Sequence, residues 1–273
     1  PSPQLGDDAD HLSRFALEDW IGQRIDHPNV VKGWPAPRQR QCLYLLQEYL
    51  DGETLSAWAE KNPRPPVQTV TGFAAQIIKG LRALHRRETL HQDIKPDNLF
   101  LCADGTLKLI DLGAARVAGL EEGATRDRPG AADYAAPEYA LNLPRDARSD
   151  QFSLAVTLYE LLTGQHPYGE TYVRAESPAD FQKLTYTSAC RHNPHVPVWL
   201  DAALKKSCSL MVDDRYAALG EFLMDLESPN PMLAPVSARP WLERDPAGFW
   251  RGLALALSLL ALLELGVIIF QTR

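Results

Sequence analysis

The 273-residue sequence carries 28 Lys and Arg against 35 Asp and Glu, a formal net charge of −7, and its sequence pI is near 5.5. That balance excludes the basic footprint of a nucleic-acid binder, and 45% hydrophobic with 23% charged residues excludes a long disordered chain. Cys42, Cys102, Cys190 and Cys208 are scattered without a C-x-x-C pair, which reads as reduced thiols of a cytosolic domain rather than disulfides or a zinc site.

In chain order, residues 11 to 25 place Leu12, Phe15, Ala16, Trp20 and Ile21 at helical spacing, and His27-Pro28 predicts the end of that helix. Val30-Val31 and Leu43 to Leu46 read as short strands, broken by Asp51-Gly52. A short helix is expected over Thr54 to Lys61, and a long amphipathic one from Thr69 to Arg87 with Phe73, Ile77, Leu81 and Leu84 on one face. Leu99 to Cys102 and Leu107 to Ile110 flank Ala103-Asp104-Gly105, a hairpin signal. Asp150 to Thr163 is apolar nearly all round, as a core helix is, and further helices are expected near 199 to 210 and 216 to 227. Strands come early and helices late, which suggests a small mixed lobe followed by a larger helical one.

The chemistry concentrates in His91-Gln92-Asp93-Ile94-Lys95-Pro96-Asp97-Asn98 and, thirteen residues after Asn98, in Asp111-Leu112-Gly113. One loop offers a carboxylate, a Lys two residues on and an Asn five residues on, and a second Asp closes the following hairpin. Phosphoryl transfer from a magnesium nucleotide needs these groups. A carboxylate orients the attacking hydroxyl, a cation faces the moving phosphoryl charge, and oxygen ligands hold Mg²⁺. Each motif alone is common; the pair bridged by a hairpin is specific.

The pair resembles the H-R-D-x-K-x-x-N loop and D-F-G motif of eukaryotic-type serine/threonine protein kinases. The resemblance runs over about residues 11 to 228 and implies an α+β, bilobal protein-kinase-like fold. It implies that Asp93 is the catalytic base, that Lys95 steadies the γ-phosphate of ATP, and that Asn98 and Asp111 hold Mg²⁺. Glu18 matches the helix glutamate that pairs with the ATP-binding lysine. Backbone groups of Glu48 and Leu50 would meet adenine at the hinge, with Gln47 as gatekeeper and Phe100 beneath the ring. Ala136-Pro137-Glu138 looks like the A-P-E motif, with Arg215 placed to pair with Glu138 and Asp150 placed to brace the catalytic-loop backbone. His85, His166, His192 and His195 show no partner pattern and read as ordinary. The implied reaction is ATP-dependent phosphorylation of Ser or Thr on protein substrates.

Four departures qualify the resemblance. No glycine-rich loop or V-A-I-K lysine precedes Glu18, so the small lobe is expected to be incomplete, in keeping with a sequence that opens on Pro1. A fragment of this kind is expected to bind ATP poorly. Gln92 replaces the Arg that receives an activation-loop phosphate, which argues against that switch; Thr125 and Tyr134 are the hydroxyls between Asp111 and Glu138. Ala131 replaces a Thr that normally bonds the catalytic Asp and Lys, and Leu112 replaces the Phe of D-F-G. Ala131 and Gln92 lean toward a rival reading, a membrane-tethered pseudokinase scaffold, while intact Asp93, Lys95, Asn98 and Asp111 count against it.

Beyond the expected kinase domain (1–228) and a Pro-rich linker (229–248), the segment 249–273 is expected to carry a transmembrane helix over 252–270. Nineteen residues span roughly 28 Å as a helix. Twelve Leu, Ile, Val and Phe side chains favour insertion by on the order of 4 to 7 kcal/mol, against roughly 3 kcal/mol for Glu264. Arg239, Arg244 and Arg251 precede the span and Arg273 follows it, which predicts a single-pass protein with its kinase domain in the cytoplasm. A kinase followed by such an anchor also resembles the kinase half of bacterial chains that fuse a kinase to a protein phosphatase.

Overall fold

Helix α1 (Ala9–Arg24) opens the described chain and packs on β1 (Gly33–Trp34), which pairs antiparallel with β2 (Leu46–Gln47). The approach is close because Gly33 lacks a side chain: a Cβ there would fall 2.8 Å from the carbonyl carbon of Gly22. The computed structural model describes residues 9–37, 42–118, 132–233, 248–254 and 256–258. The sequence readings at Thr125 and Ala131 lie outside them.

After β3 (Gly52–Thr54), the Thr54 hydroxyl accepts from Ala57 N and caps α2 (Leu55–Lys61). The long α3 (Val67–His85) buries Val70, Phe73, Ala74, Ile77, Ile78, Leu81 and Leu84 along one stripe, which matches the periodicity of its sequence. It leads through β4 (Thr89–Leu90) into the catalytic loop. The hairpin of β5 (Leu99–Cys102) and β6 (Leu107–Leu109) joins β3 in a three-stranded antiparallel sheet of order β3-β5-β6. β7 (Arg116–Val117) returns to pair with β4. Beyond α4 (Pro137–Ala140), α5 (Ala147–Thr163) runs through the core. Phe152, Leu154, Val156, Leu158, Tyr159, Leu161 and Leu162 are all buried on it. Each such side chain stabilises the fold by about 1.5–3 kcal/mol. Short α6 (Pro178–Phe181) and α7 (Ala189–His192) follow, then α8 (Val198–Ser207) and α9 (Leu219–Glu227), which pack with α3 and α5.

The expected elements appear with shifted ends. Val30-Val31 forms a single bridge to Leu109 instead of a strand, and Leu43 to Leu45 lies outside β2. The backbone of residues 29–31 is committed to β6, through Val31 N to Leu109 O and Leu109 N to Asn29 O, both 2.9 Å. α5 starts three residues before Asp150 because Asp146 caps it, accepting from Arg148 N at 2.7 Å. α9 starts at Leu219, later than its sequence suggests, because Arg215 is extended and bonded to Glu138 of α4, and Tyr216 N donates to Gln151 of α5.

Contacts divide the chain into a unit Pro1–Pro229 and a unit Asn230–Arg273. Residues 248–254 and 256–258 of the second are helical. Among the described residues no helix is long and apolar enough to cross a membrane, and most of the expected span 252–270 lies outside them.

Candidate active site

The catalytic loop is held from below by one buried carboxylate. Asp150, on the first turn of α5 and fully buried, accepts from His91 N (3.0 Å), from Gln92 N (2.8 Å) and from His85 Nε2 (2.8 Å). Burial works to raise the Asp150 carboxyl, but the hydrogen bonds it accepts, that of His85 foremost, outweigh it and hold it below its ordinary value. Gln92 is left-handed at φ +66°, a conformation costing a non-glycine residue roughly 1–2 kcal/mol. The charged acceptor under its N–H offsets that cost. Gln92 is itself buried, with its Oε1 unbonded.

His91 is buried, and burial depresses its pKa so that the ring is neutral. Its Nε2 meets Ile110 O at 3.2 Å, which makes Nε2 the protonated nitrogen, while Nδ1 accepts from Asp93 N at 3.4 Å. The imidazole thereby links the loop to the end of β6.

Asp93 stands where these supports converge. Its Oδ2 accepts from Lys95 Nζ (2.8 Å) and Asn98 Nδ2 (2.7 Å), and its carbonyl takes the second Asn98 N–H at 2.9 Å. Oδ1 carries none of these bonds. Asn98 spends its amide N–H groups on Asp93, and its Oδ1 takes no part in those bonds. The Asn98 carbonyl accepts from Ile110 N at 3.0 Å, which holds the loop against the hairpin that delivers Asp111.

Asp111 is exposed, left-handed at φ +59°, and accepts from Gly113 N at 3.2 Å. Leu112 behind it is fully buried, as an apolar plug is. Glu18 of α1 reaches the same place: a Cβ on Gly113 would lie 3.2 Å from Asp111 Oδ1 and 3.4 Å from Glu18 Oε2. Burial raises the Glu18 pKa, the Asp111 charge adds to the rise, and a bond from Gln47 Nε2 (3.4 Å) opposes it. Among the described residues no cation pairs with Glu18.

Of the residues that the resemblance places near adenine, Phe100 lies on the central strand of its sheet. Phe100 on β5 is half-buried, opposite Thr54 and Lys108. Glu48 donates its N–H to Lys32 O at 2.9 Å, and its carboxylate accepts from Lys32 N and pairs with Lys108 Nζ, both at 2.8 Å. Leu50 is half-buried beyond the 90%-exposed Tyr49.

On the far side of the loop, Glu138 and Arg215 form a buried two-bond ion pair (2.7 and 2.9 Å). Ser149 Oγ donates to the same carboxylate at 2.8 Å. The Tyr134 hydroxyl donates to Glu160, and both line a cleft of about 330 Å³ together with Pro96 of the catalytic loop.

The structure thus brings Asp93, Lys95, Asn98, Asp111 and Glu18 together and confirms the contacts of Asp150 and Arg215. It corrects the reading of His85 as an ordinary histidine, because that ring is bonded to Asp150. It also adds Glu160 and Lys108. None of these three had a local signal: their partners lie 65, 26 and 60 residues away.

Comparison with known proteins agrees with this arrangement. The protein kinase domain family matches residues 6–221. The chain belongs to that family. It is 30% identical over 230 residues to the serine/threonine-protein kinase PknB of Mycobacterium leprae, covering 81% of this chain and 36% of that protein. To PrkC of Bacillus subtilis it is 27% identical over 230 residues, covering 81% and 34%. To Pkn1 of Myxococcus xanthus it is 30% identical over 234 residues, covering 84% and 33%. The domain is of the bacterial serine/threonine kinase type, and the chain spans about a third of the length of these curated relatives.

Proposed function

We propose that the intact protein transfers the γ-phosphate of Mg-ATP to Ser or Thr hydroxyls of proteins, with Asp93 as the base. The observation that carries this reading is the Asp93 carboxylate, with one oxygen held by Lys95 and Asn98 and the other unencumbered. The donor set suits magnesium: Asn98 Oδ1 and the Asp111 carboxylate are hard oxygen ligands, and Mg²⁺ fills its remaining positions with phosphates and water. The described residues hold no cluster of three or more His, Cys, Asp or Glu ligands that would cage a metal alone. When bound, the metal neutralises charge on the phosphates.

The chain's own residues supply the rest. Asp93 Oδ1 orients the acceptor hydroxyl and takes its proton. Lys95, already 2.8 Å from Asp93 Oδ2, fixes that carboxylate in place and offers positive charge to the moving phosphoryl group. Asp111 and Glu18 set two carboxylates side by side, an arrangement that calls for cations. On this reading the lysine that meets Glu18, and the strands that cover the nucleotide, belong to a part of the polypeptide outside Pro1–Arg273. The chain as it stands is then weakly active. A single membrane span over 252–270, with the kinase domain on the cytoplasmic side, completes the proposal; its support is the apolar run and the placing of the arginines.

Gln92 favours one point of regulation. Its amide cannot neutralise a phosphate as a guanidinium does, so activity is independent of activation-segment phosphorylation. The test of the whole reading is radiolabel transfer from Mg-ATP by the full-length protein beside an Asp93→Asn variant. Loss of a general base costs about 10²- to 10⁴-fold in rate. Equal labelling by the two proteins would remove Asp93 from its role. No transfer to any acceptor by folded full-length protein would favour a membrane-tethered scaffold instead.

A further inference from the structure

The loop that follows α5 is built as a rigid platform. Tyr172 stacks on Phe152 of α5 (centroids 5.9 Å apart) and on Tyr168 (5.8 Å), and the Tyr168 hydroxyl donates to Cys208 O at 2.7 Å. The His166 ring lies against Tyr172 at 4.7 Å. From this platform two bonds reach out to the segment beside the catalytic loop. His166 Nε2 meets Asp133 O at 2.9 Å, and the Tyr172 hydroxyl donates to Ala135 O at 2.6 Å. They flank Tyr134, whose hydroxyl is tied to Glu160 on α5. Three consecutive residues of the segment are thus pinned to the core, and the middle one, Tyr134, lines the cleft that Pro96 also lines.

Both ring nitrogens of His166 are used. A carbonyl accepts at Nε2, so that nitrogen bears the proton, and Nδ1 accepts from Tyr168 N at 3.1 Å. Only the neutral Nε2–H tautomer makes both bonds. We propose that His166 is a positioning residue for the protein acceptor: neutral, it fixes residues 133–135 so that the acceptor chain is presented in register with Asp93. The proposal rests on the kinase reading for its substrate and on the geometry alone for the latch. Burial lowers the His166 pKa. The Asp133 carbonyl and carboxylate oppose that shift without overcoming it, and the facing Tyr168 and Tyr172 phenols stay protonated because burial raises their pKa values. Protonation puts a hydrogen on Nδ1 against the Tyr168 N–H and opens the turn that aims the ring.

His166→Phe keeps the ring contact with Tyr172 and removes both bonds, while His166→Gln keeps a neutral donor of similar reach. In the full-length protein, His166→Phe is expected to raise the acceptor-protein KM by about 2- to 10-fold, the worth of one hydrogen bond, with the KM for Mg-ATP unchanged. His166→Gln should stay near the parent. Because burial lowers the His166 pKa, the parent's acceptor KM should hold through the ordinary histidine value of about 6.5 and climb only at a lower pH, and the Gln variant should lack that climb. Amide exchange of residues 132–140, read by mass spectrometry, gives an answer independent of catalysis. It should quicken in the Phe variant and not in the Gln variant. If the parent transfers no phosphate, the kinase reading fails and this exchange still decides the latch. Exchange and acceptor KM unchanged in the Phe variant would overturn the proposal. So would a joint shift of both KM values with a general loss of thermal stability.

Discussion

The two sides of the site are built on opposite electrostatic terms. Under the catalytic loop, Asp150, Glu138 and Arg215 are all buried charges, and each has its partners: Asp150 accepts three hydrogen bonds and Glu138 meets both Arg215 and Ser149. On the nucleotide side, Glu18 and Asp111 set two carboxylates near one another, and burial with mutual repulsion raises the Glu18 pKa. The first side is complete in the chain alone and preorganises Asp93. Among the described residues no cation pairs with Glu18 on the second side, and on the proposed function ligand binding is what relieves it. Satisfied buried charge makes a rigid floor; an unsatisfied acidic pair makes a receptor for cations.

This contrast can be broken most severely at the floor. Arg215→Ala leaves the Glu138 carboxylate buried without its cation, and loss of one partner of such a pair costs about 3–5 kcal/mol. Urea unfolding of the variant should give an unfolding free energy lower by that margin, seen as a lower midpoint at unchanged slope; a midpoint equal to the parent's would mean the pair is not needed for the floor. The nucleotide side should answer in the opposite sense. Glu18→Gln removes the repelled charge while keeping an acceptor for Gln47. It should raise the melting temperature of the ligand-free chain at neutral pH, while weakening Mg-ATP binding in the full-length protein.

The pH dependence follows with a definite sign. Because the folded-state pKa of Glu18 lies above the unfolded value, the folded state takes up the proton first. The Glu18 contribution to stability therefore rises as the pH falls from neutral toward about 4.5, near the reference value of a glutamate. Thermal scans across that window should show a smaller rise in Glu18→Gln than in the parent. The smallest effect is expected away from both sides: Thr125→Ala, or treatment with a phosphatase, should leave the transfer rate unchanged. A large fall would show that the segment is switched by phosphate despite Gln92.

Much of this was legible in the sequence wherever the signal is local. The catalytic loop lies within eight residues and Asp111 within one hairpin of it, so spacing alone sets Asp93, Lys95, Asn98 and Asp111 together. The stripe of α3 and the all-round apolar face of α5 foretold their burial. Weak strands fared worse. Val30-Val31 and Leu43 to Leu45 have strand composition, but the pairing partner of residues 29–31 is β6, nearly 80 residues on, and no local pattern reports a distant hydrogen bond.

By its own spacing, the sequence set Asp93, Lys95, Asn98 and Asp111 in one loop and hairpin and marked which helices fill the core, because both depend on residues a few positions apart. Tertiary structure alone decided that His85 serves Asp150, that His166 and Tyr172 hold the carbonyls of Asp133 and Ala135, and that Glu18 crowds Asp111. A histidine's role depends on which atoms meet its two nitrogens. Those atoms arrive only when segments far apart in the chain are packed together.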